Sequence, residues 1–404
     1  MRLMLASQVL LVAGSMSTSL LHSFNYFIVP ALAPVIYNLG MIAGIVFLSN
    51  KFGIYGPALG VLLGSLLHFA IQIPLVQKTG YRYSFSLNFK NKDFRKLIHL
   101  VPARIGSVLI ANLIQIINNS LAIVVSETAV VLLKFANQLQ TFPVTLVGYS
   151  MAAASLPTLS KLGDKENSER FKETFLTSFH QAMFLVMPIS MMMFILRVPT
   201  VRLVYGVSSF PWEATLQTAR TLAFFSSSIF AQSANYLLTR SFYALKNTKI
   251  PVIVSLCTGT LNILLSIIFI QYFKLDVWSL ALSFAITSVL DTFILFILLN
   301  KSLGGFDKRA IFKPFIKISI STLLMGVTLY VPMKLLDNYF LDTSRTLNLI
   351  ILTLIAGICG VGTYLLFTKI LKVREIQLLY KLLRKIRPQK DDVKPQNLSY
   401  TEEI

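Results

Sequence analysis

The chain contains about eleven apolar stretches, each long enough to cross a bilayer as a helix. In chain order they cover 4–22, 27–49, 54–76, 98–122, 128–156, 172–195, 218–243, 251–272, 277–300, 314–334 and 346–370. Only 13% of the residues are charged, about half of the share in soluble domains. Hydrocarbon offers no water to backbone groups, so these stretches must pair their own amides as helices. The sequence therefore predicts an all-α polytopic membrane protein.

The formal net charge of +20 is distributed unevenly over the segments that join these stretches. Lys and Arg concentrate in alternate segments, at 78–96, 161–172, 240–249, 301–317 and 369–394. Cytoplasmic loops carry such an excess, which predicts a multi-pass protein of the cell inner (cytoplasmic) membrane with its C-terminus in the cytoplasm. Since cytoplasmic loops account for the positive charge, we do not expect nucleic acid to be a partner. An odd number of spans then places Met1 outside, so we expect earlier spans to be missing from the chain.

One membrane-length stretch, 134–161, carries polar side chains along one side. They recur every three or four residues, at Lys134, Gln138, Thr141, Thr145 and Tyr149. Hydrocarbon does not solvate such a stripe, so it must face water, protein or a polar ligand. Pro143 removes a backbone hydrogen bond in the middle of this helix and predicts a kink there.

Two further patterns concern the first part of the chain. Pro30 and Pro34 interrupt the second apolar stretch, and broken helices of this kind line cavities in transporters. Both prolines are therefore further candidate kinks. Gly56, Gly60 and Gly64 recur every four residues, which predicts a helix face that approaches a neighbouring helix closely.

Ionisable side chains within membrane spans are costly and are therefore the first candidates for function. Arg104 and Lys134 each lie near one end of a span, and Asp291 lies in the middle of one. Each also has a structural explanation. The two basic residues would extend their charges to the interface, and Asp291 would join helices through hydrogen bonds. The functional hypotheses are an anionic ligand for Arg104 and Lys134, and an ion or proton site at Asp291.

The residues that catalysis and metal binding require form no pattern. The four histidines are scattered, and the sequence has no Walker loop and no Gly-x-Ser-x-Gly turn. Cys257 and Cys359 fall in apolar stretches, as small hydrophobic residues do. We therefore expect a transporter and not an enzyme, with no cofactor and no metal. No residue pattern indicates an oligomeric state.

Four segments carry specific motifs in a fixed order. They are SFNYFIVPALAPVIYNLGMI (23–42), GPALGVLLGSLLHFAIQIP (56–74), FANQLQTFPVTLVGYSMAAASLPTLSK (135–161) and SFYALKNTKIPV (241–252). Together they resemble helices of the MurJ/MviN family, lipid II flippases of the multidrug/oligosaccharidyl-lipid/polysaccharide exporter superfamily. The resemblance extends over most of the chain.

That family has two six-helix lobes around a cationic cavity and two more helices that form a lipid groove. The resemblance implies that the first three family helices are absent here. It divides the chain into the remainder of the N-terminal lobe (1–77, three helices), a cytoplasmic interfacial loop (78–97), a six-helix C-terminal lobe (98–300), a groove-forming helix pair (301–370) and a basic cytoplasmic tail (371–404).

The resemblance also implies a function and its residues. The chain would flip the undecaprenyl-pyrophosphate-linked peptidoglycan precursor, lipid II, across the membrane by alternating access for cell-wall synthesis. A lipid-linked oligosaccharide and the phospholipid membrane would be its partners. The candidate cavity contacts are Arg104, Asn118, Lys134, Asn137, Gln138 and Thr141.

One departure from the family concerns charge. A family arginine falls at Gln138, so its charge is lost. Lys134 lies one helical turn away on the same face, and we hypothesise that it replaces this charge. Two alternatives remain open: a Wzx-like flippase for another polyprenyl-linked glycan, and a transport-inactive truncated membrane scaffold.

Overall fold

The computed structural model describes residues 2–24, 26–81, 112–164, 167–206, 210–340 and 345–376. Within these ranges every regular element is a helix, and nine helices are long and apolar enough to cross a membrane. The predicted all-helical class is therefore confirmed. The helices belong to two compact units, Met1–His99 and Leu100–Ile404. Arg104 and most of the predicted loop 78–97 lie outside the described residues.

The first unit contains three long helices. Helix α1 spans Arg2–Ser23, α2 spans Ile28–Phe52, and α3 spans Tyr55–Lys78 with a turn at Ile71 and Gln72. Helix α3 contacts both α1 and α2 over most of its length. It is therefore the element that holds this unit together.

Glycine sets the distance between α2 and α3. Gly60 and Gly64 of α3 are buried. A Cβ atom on Gly60 would lie 2.7 Å from the Cα of Gly44, and one on Gly64 would lie 2.4 Å from the carbonyl oxygen of Tyr37. Side chains at these positions would push the two backbones apart. The predicted close contact through the glycine face is confirmed.

The two prolines of α2 occupy different positions. Pro30 lies in the first turn, where its missing amide hydrogen would have no helical partner in any case. It therefore stands at the start of α2 and does not interrupt the helix as the sequence had suggested. Pro34 lies inside α2. The helix continues past it and forms a wider, π-helical turn at Gly44–Leu48.

The second unit contains the remaining helices. The described part of the predicted span 98–122 is α4, Asn112–Val125. It is followed by α5 (Ala129–Lys161), α6 (Ser168–Ile195), α7 (Arg197–Tyr205), α8 (Trp212–Ser226), α9 (Ile229–Ala244), α10 (Lys249–Tyr272), α11 (Trp278–Ser302), α12 (Lys308–Phe340) and α13 (Thr346–Ile370).

Residues 218–243 do not form one continuous helix, contrary to the prediction. Helix α8 ends and α9 begins around a turn at Ser227 and Ser228. The hydroxyl groups of these serines donate to the carbonyl oxygens of Phe224 and Phe225, at 2.6 and 2.9 Å. Serine hydroxyls compete with backbone amides for such carbonyls, which favours a break in the helix. Hydropathy averages over these serines and so does not detect it.

Helix α6 supplies much of the hydrophobic core of the second unit. Phe171 and Phe175 are fully buried and pack in one cluster with Phe242 of α9. The C-terminal helices α12 and α13 lie against the same helix. The Tyr364 hydroxyl of α13 donates to the carbonyl oxygen of Phe184 at 2.7 Å. The last two helices are therefore joined to the core of this unit.

Candidate functional site

Helix α5 changes its winding at Pro143. This proline has no amide hydrogen to donate to the carbonyl of Leu139, and Val144–Tyr149 form a π-helical turn directly after it. In the same turn Gly148 lies against α9, where a Cβ atom would stand 2.7 Å from the Cα of Ser233. Turns of this kind occur often at functional sites. The kink predicted at Pro143 coincides with this widened turn.

Two adjoining clefts are lined by side chains of α4, α5, α9, α10 and α11. One has a volume of about 310 Å³ and is lined by Lys134, so we call it the lysine cleft. The other has a volume of about 480 Å³ and is lined by Asp291, so we call it the carboxylate cleft. The two clefts share the side chains of Ile114, Gln232, Tyr236 and Phe284.

Most of the residues that the sequence predicted to contact a ligand line the lysine cleft. Lys134, Asn137 and Thr141 line it from α5, and Asn118 lines it from α4. Gln138 is exposed and does not line either cleft. Lys134 is exposed as well, and among the described residues its ammonium group has no hydrogen-bond or ion-pair partner. Lys134 therefore lines the cleft, whereas Gln138, one helical turn further along α5, does not.

Amide side chains hold the wall of the lysine cleft together. The Nε2 of Gln140 donates to the Oδ1 of Asn137 at 2.9 Å. The Oε1 of Gln140 in turn accepts from the Nε2 of Gln232 on α9, at 2.7 Å. Gln140 is almost completely buried, at 1% exposure. This chain of hydrogen bonds orients Asn137 and joins α5 to α9.

Asp291 is the centre of the carboxylate cleft. One carboxylate oxygen accepts from the Oγ1 of Thr258 on α10 at 2.9 Å, and the other accepts from the Nδ2 of Asn235 on α9. The Oγ1 of Thr239 donates to the remaining oxygen of Asn235, at 3.1 Å. Asp291 is buried, at 8% exposure. The carboxylate of α11 thus connects two other helices.

Asn118, which lines the lysine cleft, is hydrogen-bonded to a residue that lines the carboxylate cleft. Its Nδ2 donates to the Oδ1 of Asn262 on α10 at 3.0 Å. The Nδ2 of Asn262 lies 3.4 Å from the hydroxyl oxygens of both Ser283 and Thr287 on α11. The Oδ1 of Asn118 is buried and has no hydrogen-bond partner among the described residues. A buried oxygen of this kind is able to accept from, or coordinate, a bound group.

The partners of these predicted residues were not identified from the sequence. They are Gln140, Gln232, Asn235, Thr258 and Asn262. A signal was present, because α11 carries a polar residue at every fourth position: Ser279, Ser283, Thr287 and Asp291. Such spacing places them on one face of an otherwise apolar helix, and that face has to pair with polar groups of neighbouring helices.

The groups that line the clefts are suited to binding. In the described part of the chain, no three His, Cys, Asp or Glu side chains come together to hold a metal ion. The amides and hydroxyls of the clefts pair with the oxygens of sugars or phosphates, and the ammonium group of Lys134 pairs with a negative charge. Asp291 supplies a carboxylate next to these neutral groups.

Comparison with known proteins assigns the family. The family model described as lipid II flippase MurJ matches residues 1–351. A probable lipid II flippase MurJ of Buchnera aphidicola subsp. Acyrthosiphon pisum is 27% identical, over 94% of this chain and 74% of that protein. One of Bdellovibrio bacteriovorus is 24% identical, over 82% of this chain and 63% of that protein.

A solved structure agrees with the sequence relatives. It is described as lipid II flippase MurJ in an inward closed conformation, and it superposes with a TM-score of 0.74 at 26% identity. The match covers 91% of this chain and 73% of that one. The fold, the cleft-lining α5 and the family model all lead to one assignment: this multi-pass membrane protein belongs to the MurJ family.

Proposed function

We propose that this chain moves lipid II, an undecaprenyl-pyrophosphate-linked peptidoglycan precursor, across the cytoplasmic membrane for cell-wall synthesis. One observation carries the proposal. Lys134 presents an ammonium group without a described partner in a cleft lined by amides and hydroxyls. Family membership supplies the class of substrate, and Lys134 supplies a charge with which this chain would hold it.

The physical problem is the head group. A pyrophosphate that enters the membrane loses hydration, and this loss prevents it from crossing hydrocarbon alone. A positive charge offsets part of the loss through charge-assisted hydrogen bonds. Asn137 and Thr141 lie on the same cleft wall and offer neutral hydrogen-bonding groups to sugar oxygens. Lys134 would therefore hold the anion, and its neighbours would hold the attached sugars.

Transport would follow alternating access, in which the cleft opens to one side of the membrane and then to the other. The flexing points of this motion would be Pro34 and Pro143, because each removes a backbone hydrogen bond within a long helix. A π-helical turn follows each proline in its helix, at Gly44–Leu48 and at Val144–Tyr149. Such turns mark places where the winding of a helix is already relaxed.

We propose Asp291 as the site where a coupling ion or proton binds. It is the only acidic side chain among the described residues that line the two clefts. Its partners Thr258 and Asn235 belong to other helices. Neutralising the carboxylate would therefore weaken contacts between three helices at once.

The proposal also covers the side of the membrane on which the C-terminus lies and the role of the last two helices. The bias of Lys and Arg among the connecting segments supports a cytoplasmic C-terminus. Helices α12 and α13 would form the groove for the polyprenyl tail. Apolar side chains such as Leu323 and Val327 of α12 and Ile358 of α13 are exposed, as contact with a lipid chain requires.

Complementation tests the proposed function. This chain is expressed in a bacterium whose own lipid II flippase is depleted, and we expect it to restore growth and cell shape. In the same cells, labelled lipid II should reach the outer leaflet. If the chain inserts at normal levels but neither outcome follows, it is not a lipid II flippase. Rescue of a strain that lacks a flippase for another polyprenyl-linked glycan would instead favour a Wzx-like activity.

A further inference from the structure

A third cavity, of about 630 Å³, lies where the start of α6, the start of α12 and the residues after α13 meet. Its basic side chains are Arg309, Lys313, Lys317, Lys372 and Arg374, and we call it the basic pocket. The starts of α6 and α12 thus meet the C-terminal end of α13. The pocket is therefore located near one membrane interface, separate from the lysine and carboxylate clefts.

Most of the positive charge in the basic pocket is uncompensated. The Nζ of Lys317 donates to the carbonyl oxygen of Leu371 at 2.5 Å, which caps the end of α13. The other four basic side chains have no hydrogen-bond or ion-pair partner among the described residues. Glu173 and Glu375 also line the pocket, and neither forms an ion pair within that part of the chain. A net positive charge therefore remains in a walled cavity.

The pocket borders an apolar face of α12. Arg309, Lys313 and Lys317 follow one another at intervals of four residues and form a single stripe. Three positions after each of them, Phe312, Ile316 and Ile320 form a neighbouring stripe whose side chains are exposed, at 55%, 50% and 43%. A ligand that fits both stripes has an anionic head and an apolar tail.

We propose that the basic pocket binds the phosphate head group of an anionic membrane phospholipid, with its acyl chains along Phe312, Ile316 and Ile320. Basic pockets between membrane helices near the interface suit such head groups. Arg and Lys pair with phosphate through charge-assisted hydrogen bonds. A soluble anion would use the charges but not the apolar stripe. This inference does not depend on the substrate that the clefts carry.

A matched pair of double variants tests the proposal. Arg309→Gln with Lys313→Gln removes two charges from the basic pocket. Lys301→Gln with Lys308→Gln removes two nearby exposed charges that do not line it. The full chain in neutral detergent is titrated with a fluorescent phosphatidylglycerol, and binding is followed by anisotropy. We expect about tenfold weaker binding for the pocket variant and less than about twofold for the control.

Competition identifies the source of the phosphate. Unlabelled phosphatidylglycerol should displace the probe, whereas glycerol phosphate and phosphatidylcholine should not. Equal weakening by both double variants, or none by either, would overturn the pocket assignment. Displacement by glycerol phosphate at the same concentration as the lipid would show that the ligand is a soluble phosphate. Unfolding midpoints equal to that of the unmodified chain confirm that both variants are folded.

Discussion

Asp291 and Lys134 line adjoining clefts, but their surroundings are opposite. Asp291 is buried, and its two oxygens accept from Thr258 and Asn235. Lys134 is exposed and has no partner among the described residues. A charge that is held from two helices stabilises the fold, because its removal leaves buried donors unpaired. A charge with no partner contributes little to folding and remains available to a ligand.

This difference predicts that substitutions of Asp291 affect stability more than substitutions of Lys134 do, and that substitutions of Lys134 affect transport more. Changes at the carboxylate should affect unfolding most, and changes at the lysine should affect it least. The effect on transport should be strongest at the lysine, where no protein group has to be displaced before the substrate binds. Three sets of variants examine this order.

The largest loss of stability is expected for Asp291→Leu. It leaves the Nδ2 of Asn235 without its acceptor and removes one partner of Thr258, which should lower the free energy of unfolding by about 2 kcal/mol. Asp291→Asn has a similar volume and keeps one acceptor oxygen, so its loss should be about half of that. Unfolding in detergent measures both. Equal stability of the leucine variant and the unmodified chain would mean that the carboxylate does not hold these helices.

A smaller loss is expected for Gln140→Leu, about 1 kcal/mol. The substitution breaks the hydrogen bonds to Asn137 and Gln232, although Gln232 keeps its bond to Ser228. Adding Gln232→Leu replaces both partners by apolar groups and should cost less than the sum of the single changes. Strict additivity of the two losses would show that the glutamines act independently.

The smallest change in stability is expected for Lys134→Ala, within about 0.5 kcal/mol of the unmodified chain. The side chain is exposed and has no described partner to lose. Lys161→Ala is the matched control, because Lys161 is an exposed lysine at the far end of the same helix. A loss above about 1 kcal/mol for the Lys134 variant alone would reveal a structural role and would remove the contrast with Asp291.

The long helices and the glycine contact between two of them could be predicted from the sequence, because they depend on mean hydropathy and on residue spacing. Hydropathy located the nine long helices, since each contains an apolar window of 18 residues. The spacing of Gly60 and Gly64 predicted close contact with a neighbouring helix, because glycine has no side chain to keep two backbones apart. The structure identifies that neighbour as α2. The break at Ser227 and Ser228 was missed, because it arises from hydroxyl groups that a hydropathy average does not weigh.

Only some residues of the candidate site could be predicted from the sequence. Lys134 and Asp291 stood out because charges are rare in membrane spans. Gln140 and Asn262 did not, because their importance depends on which helices face one another. The basic pocket was missed for a different reason. Arg309 and Lys313 resemble ordinary cytoplasmic loop residues, whereas the structure places them in the first turns of α12, beside a cavity.

Growth of flippase-depleted cells that carry Lys134→Ala shows whether the ammonium group of Lys134 is needed for transport. We expect this variant to be made at normal levels but not to restore growth, whereas Lys134→Arg and Lys161→Ala should restore it. Adding Gln138→Arg to the alanine variant should return at most a small part of the activity, because residue 138 lies one helical turn away and does not line the cleft. Full growth with Lys134→Ala alone would contradict the claim that this ammonium group holds the substrate.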